Sequence, residues 1–131
     1  MSVALSSEVQ SFLHERVLAH LATVMKDGSP QVTPLWVDTD GTYIIVNTAE
    51  GRTKERNMKR DARVALSITD PVNFLRYVVI RGRVAKLTTE GANENINQLS
   101  MKYSGRPYTM TPAQTRVKIY IEPTSVIARG L

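Results

Sequence analysis

At 131 residues the chain is long enough for one domain with a buried core of its own, and its 42% hydrophobic and 22% charged content is ordinary for a soluble globular protein. It has no cysteine, which excludes a thiol nucleophile, a thiolate metal site and a disulfide framework. The formal net charge of +5 is concentrated: Arg52, Lys54, Arg56, Lys59 and Arg60 against the one anion Glu55 give a local +4, which favours an anionic partner.

The N-terminus carries no basic n-region, and Ser6, Ser7, Glu8 and Gln10 interrupt any apolar h-region. No run approaches the ~18 apolar residues of a membrane span, so a cytoplasmic protein is expected. "SSEVQSFLHERV" opens a helix, with Ser7 and Gln10 at capping-box spacing and Val9, Phe12, Leu13 and Val17 on one face. A meander follows. One strand covers about Ala19 to Met25, a second about Gln31 to Asp38 and a third about Tyr43 to Asn47, with turns at Asp27-Gly28 and Asp40-Gly41. Pro30 and Pro34 cannot donate to a ladder, so the second strand belongs at an edge or a bulge.

Gly51 permits a turn, and the residues from Thr53 to Arg60 are good helix formers. "ARVALSIT" alternates as a half-buried strand, and "RYVVIRGRVAKL" is another, with a bulge expected at Gly82. "TTEGANENINQLSMKYSG" is a helix with Ile96, Leu99 and Tyr103 on one face. "RVKIYIEPTSVIARGL" alternates up to Pro123 and then gives a last short strand. There is no internal repeat and no second domain, so residues 1–131 form a single domain. Six or seven short strands with helical trim predict a mainly β fold with short helices, a closed or nearly closed small barrel.

Self-sufficient catalytic machinery is not legible. His14 and His20 lack metal-ligand spacing to any partner, and Asp38 and Asp40 read as turn-stabilising residues. No Ser-His-Asp signature, HExxH, Walker loop or GxGxxG occurs. An enzyme of this composition would take its reactivity from a cofactor. The basic stretch "NTAEGRTKERNMKR" has three readings on spacing alone. A helix N-terminus with Arg52, Thr53 and Lys54 makes a phosphate cradle. A Glu55–Lys59 pair at i,i+4 makes a solvated face. The third reading is a nucleic-acid patch, which the few aromatics and the absence of an RNP-like signature disfavour.

The run "HLATVMKDGSPQVTPLWVDTDGTYIIVNTAEGRTKERNMKRDARVALSITDP", continued by "FLRYVVIRGRVAKL", resembles the pyridoxamine 5′-phosphate oxidase-like split-barrel family, in its short coenzyme F420-dependent branch. The resemblance implies a six-stranded split β-barrel, a homodimer, and cofactor sites between the subunits. It implies that Arg52, Thr53 and Lys54 of "GRTK" hold the cofactor phosphate, with Asn47 and Thr48 beside the phosphate and ribityl chain. Gln31, Val32, Thr33 and Pro34 would neighbour the tricyclic ring, Asn57 would belong to the same site, and Arg76 and Tyr77 would close it from the partner subunit. Surplus cations at Arg56, Lys59 and Arg60 would suit the acidic tail of F420. The implied activity is hydride transfer between the deazaflavin ring and a small enone- or quinone-like acceptor, with no nucleic acid involved. FMN on the same scaffold, or a carrier that binds cofactor without turnover, are the alternatives. No side chain is assigned a catalytic role and no metal site is expected.

Overall fold

The computed structural model describes all residues, Met1–Leu131. Helix α1 (Ser7–His14) precedes the strands β1 (Leu18–Val24), β2 (Pro30–Leu35), β3 (Asp38–Thr39) and β4 (Ile44–Ala49). Helix α2 (Thr53–Arg60) leads to β5 (Arg63–Thr69) and the long β6 (Tyr77–Thr88), and α3 (Ala92–Ser104) leads to β7 (Arg116–Arg129). All pairings are antiparallel in one curled sheet of order β2-β1-β5-β6-β7-β4-β3. The two end strands of this order do not pair with each other, so the sheet is a half-barrel rather than a closed barrel.

Six long strands match the expected number, but a two-residue seventh, β3, arises where the predicted second strand breaks at Trp36 and Val37. The prolines fall where the argument from missing donors puts them, because β2 is an edge strand paired only with β1. The bulge also falls as expected: register shifts between Arg81 and Gly82, and a Cβ at Gly82 would run into the Glu122 carbonyl. Pro123 does not end its strand, contrary to expectation. It lies opposite Gly82 at that irregularity, where its missing donor costs no regular rung, and β7 continues to Arg129. The cap of α1 is Ser6, not Ser7, since Ser6 Oγ accepts from Val9 N at 3.1 Å. Gln10 does not close a capping box, and its Nε2 donates to the Leu5 carbonyl at 2.9 Å instead.

Inside the curl lies one core, in which Phe12 and Leu13 of α1 meet Leu21, Ile44, Leu66, Ile80, Ile119 and Ile121. Met58 brings α2 onto this core, and Ile96 and Leu99 bury one face of α3. No helix is long and apolar enough to cross a membrane. The turn role of Asp40 is visible, its Oδ1 accepting from Thr42 N and Tyr43 N at 2.9 and 2.8 Å. Asp38 accepts from Thr39 N at 2.9 Å and faces His14 Nδ1 at 2.8 Å.

Candidate functional site

Strand parity decides which residues of the basic stretch meet. Asn47 lies opposite Lys118 and Ala49 opposite Arg116, on the outer face of β4 and β7. Thr48 lies opposite Val117 and so turns inward to the core, where its buried Oγ1 has no hydrogen-bond partner. Helix α3 covers the outer face here, and Asn47 Nδ2 ties it down through the Ala92 carbonyl and Asn95 Oδ1, both at 2.9 Å. Asn47 Oδ1 accepts from Arg116 Nε at 3.0 Å. Arg116, only 5% exposed, also reaches Tyr108 Oη at 3.3 Å and Gln114 Oε1 at 3.4 Å, its guanidinium 5.2 Å from the centre of the Tyr108 ring.

After β4 the chain turns at Gly51, whose φ of 86° is a conformation that glycine adopts without strain. Helix α2 then begins as expected, with Arg52 at the N-cap. Arg52 offers no capping oxygen, so no side chain satisfies the first-turn N–H groups of Thr53 and its neighbours. The helix is steadied from behind, where Glu55, 1% exposed, accepts from Gly51 N at 3.0 Å and pairs with Lys59 at 2.9 Å. Burial pushes the Glu55 carboxyl up, but Gly51 N–H and Lys59 outweigh it and hold the group below the ordinary range. A depressed acid lends stability above its unfolded value and loses it as pH falls through the folded one. Urea unfolding from pH 7 to pH 3 is therefore expected to show wild-type stability falling in acid, with a flatter profile for Glu55→Gln, which should lose about 1.5–3 kcal/mol at pH 7. Parallel profiles for the two proteins would refute this role.

Arg52, Lys54 and Arg116 converge on a cavity of about 280 Å³ that also takes in Asn47 and Tyr108, with a wall of Pro34, Leu35, Trp36, Ile96 and Leu99. None of the three cations belongs to any ion pair of the chain. The Lys54 ammonium is pulled below its ordinary value by burial, then by the charges of Arg52 and Arg116. Burial likewise draws Arg116 down, Tyr108 opposing and Arg52 adding to it. Three cations beside an uncapped helix N-terminus, with no carboxylate in the lining, form an electrostatic sink that an anion would relieve. The lining holds no histidine or carboxylic acid, and its charged side chains are all cations suited to binding an anion.

Of the residues predicted for the site, Pro34, Asn47, Arg52 and Lys54 line this cavity, and Thr53 begins the helix that faces it. The other ring-neighbour positions are divided by parity. Val32, 61% exposed, and Pro34 face outward, while Gln31 and Thr33 face inward opposite Thr23 and Leu21. Gln31 accepts from Thr23 Oγ1 at 3.2 Å, and Thr33 Oγ1 is buried without a partner. Asn57 is not in the cavity. It is 1% exposed and pins α2 to β1 by donating to Thr23 Oγ1 at 3.0 Å. Arg76 lies elsewhere, paired with Glu15 at 2.6 Å and Asp70 at 3.2 Å over the ring of Phe12, and Tyr77 begins β6 beside it. The expected tail cations are also partly engaged: Lys59 pairs with Glu55, and Arg60 reaches the Val24 carbonyl at 3.2 Å, leaving Arg56 exposed.

Sequence reasoning did not single out Arg116, Tyr108, Leu35, Trp36, Ile96 and Leu99 for this cavity. Arg116 carried one usable signal, its alternation with Lys118 and Tyr120, but it acquires a meaning only once β7 is paired with β4.

The model of the pyridoxamine 5′-phosphate oxidase family matches residues 5–129. Over 125 residues the chain is 30% identical to the F420H(2)-dependent biliverdin reductase of Mycobacterium tuberculosis (strain CDC 1551 / Oshkosh), covering 94% of this chain and 87% of that one. Among solved structures, an F420 reductase matches at TM-score 0.82 and 34% identity, over 94% of this chain and 98% of that one. The conserved hypothetical protein Rv2991 of Mycobacterium tuberculosis matches at 0.76 and 25% identity, over 95% and 84%. A family match over nearly the whole length, a curated relative at 30% identity and the shared curled sheet agree, and the chain belongs to the pyridoxamine 5′-phosphate oxidase family.

Proposed function

We propose that the chain is an F420-dependent oxidoreductase that reduces a small enone- or quinone-like acceptor. The observation that carries this reading is the trio Arg52, Lys54 and Arg116, unpaired with any carboxylate, at the uncapped start of α2 and against the wall of Pro34 and Trp36. It suits a ligand with a phosphate at one end and a flat apolar body at the other. The names of two similar proteins, the biliverdin reductase and the F420 reductase, support F420 as that ligand. When bound in its reduced form, F420 would supply a hydride from C5 of its deazaflavin ring and leave oxidised. In this reading Arg52, Lys54 and the N–H groups of Thr53 and Lys54 hold the phosphate, and Asn47 keeps Arg116 turned toward it. The free edge of β2 would lie beside the ring. The parity of Pro30 and Pro34 puts the Val32 N–H on that edge, available as a donor.

A second copy of the chain completes the site in this proposal. The outer face of the sheet carries a row of Pro34, His20, Ser67, Val79 and Ile127, and beside it a row of Val32, Ala22 and Ala65 that ends in Arg81 and Ser125, so its middle is of small or apolar residues and one end carries a cation. Leu18, Val32 and Ile127 are 45%, 61% and 46% exposed there. At the end of this face the turn after β5 exposes Val72, Phe74 and Leu75 almost fully. Exposed apolar surface of this extent marks an interface. Tyr77 shares a row with Leu18 and Thr69 on the same face, which supports a place for it at that interface, while Arg76 fixes the neighbouring turn.

The test mixes the protein with F420 and, separately, with FMN, following fluorescence quenching, and then supplies reduced F420 with a panel of enones and quinones. F420 binding, turnover of some panel members and sedimentation at twice the chain mass are expected. Tight FMN binding with none of F420 would overturn the cofactor assignment, and F420 binding without turnover on any acceptor would make the protein a carrier.

A further inference from the structure

Helix α3 is held at both ends. Asn47 grips its first turn through Ala92 and Asn95. At the other end Lys102, whose side chain is 12% exposed, drives its ammonium between two backbone carbonyls, Leu13 at 2.5 Å and Val37 at 2.6 Å. The first belongs to α1 and the second to the link between β2 and β3. Tyr103 works on the same link: its hydroxyl donates to the Val17 carbonyl at 2.8 Å and accepts from Val37 N at 3.3 Å. Its ring stacks on Trp36, with centroids 5.6 Å apart and planes 9° from parallel.

Trp36 and Val37 lie outside the strands, so no ladder sets where the indole stands. Trp36 is nevertheless a wall of the cavity that holds Arg52 and Lys54. Burying an ammonium costs free energy that an apolar side chain of similar length would spare, and Asp38 Oδ1 at 3.9 Å offsets only part of it, so Lys102 is poorly explained as packing. What it adds is direction, two aimed donors that fix the segment next to Trp36.

We propose that Lys102 and Tyr103 are positioning residues, which hold Trp36 against α3 as a fixed wall of the cofactor cavity. The clamp itself stands on geometry alone, whereas its effect on binding rests on the reading of the cavity as the F420 site. Trp36 is the only tryptophan in the chain, so its emission reports the clamp directly.

The experiment compares acrylamide quenching of Trp36 and F420 affinity in the wild type, Lys102→Met and Tyr103→Phe, each checked for cooperative unfolding. Tyr103→Phe keeps the ring and its packing, so the test survives if Lys102→Met does not fold. Quenching is expected to rise roughly twofold or more and F420 affinity to fall roughly five- to tenfold, as a site loosened by a fraction of an ångström behaves. Unchanged quenching in the folded variants would overturn the clamp. Raised quenching with unchanged F420 affinity would overturn the positioning role. If the wild type binds no F420, the functional reading fails while the quenching comparison still decides the clamp.

Discussion

Arg52→Ala and Lys54→Ala are each expected to weaken F420 binding by about 1.5–3 kcal/mol, roughly ten- to a hundredfold, as the loss of a charge-assisted bond to phosphate does. The argument begins with what these cations lack. Neither has a carboxylate partner, and the charge of each raises the cost of the other. Removing one therefore relieves its neighbour in the free protein while removing a contact in the complex. The double variant should consequently lose less than the sum of the single losses. Arg56→Ala, on the exposed side of α2, should change affinity by no more than about twofold, in the range of exposed charge pairs. Lys54 also gives the affinity a direction in pH. Its ammonium sits below the ordinary 10.5, and an anion prefers the charged form, so affinity should begin to decline at lower pH than an ordinary lysine would cause. Fluorescence titration of F420 measures all of these. An unchanged affinity in Lys54→Ala would remove the phosphate cradle from the proposal.

The basic stretch also shows how far sequence could reach. The span of α2, its start beside a glycine turn and the Glu55–Lys59 pair were all legible, because each depends on residues within a few positions of one another. One helix carries both kinds of residue: Arg52 and Lys54 face the cavity, while Glu55 and Lys59 make an ion pair behind it. The edge position of β2 was legible because proline lacks a donor wherever it stands, and the Gly82 bulge because an isolated glycine inside a strand pattern marks one. What could not be read is what the fold assembles from distant segments. Arg116 is 69 residues from Asn47, and Tyr108 lies in a loop whose position is set by α3 and by Arg116 itself. Thr48 lies away from the cavity for a related reason. It is adjacent to Asn47 in sequence, but a strand sends neighbours to opposite faces, and only the pairing with β7 shows which face carries the cavity. Asn57 resembled a site residue by its place in the stretch, yet helical spacing turns it onto β1.

Asn47 is where stability and the cavity meet, and substitution there should cost more stability than at Arg52 or Lys54. Its side chain is 7% exposed and makes three bonds, two given to α3 and one accepted from Arg116. Asn47→Leu would leave Arg116 Nε, the Ala92 carbonyl and Asn95 Oδ1 without their partner in a buried place. A loss of about 3–5 kcal/mol in urea unfolding is expected, since each orphaned polar group costs about 1–3 kcal/mol before relaxation. Asn47→Asp separates the two roles. A carboxylate still accepts from Arg116, with a stronger charge-assisted bond, but it cannot donate to Ala92 or Asn95. It also puts a negative charge into a cavity whose only charged side chains are cations. Asn47→Asp should therefore keep more stability than Asn47→Leu and yet bind F420 worse than a stability loss alone would explain, by roughly tenfold or more, the equivalent of about 1.4 kcal/mol. Equal F420 affinity in Asn47→Asp and the wild type would mean that the anion does not sit near Asn47 and Arg116, and that the cavity is held together there for the sake of α3 alone.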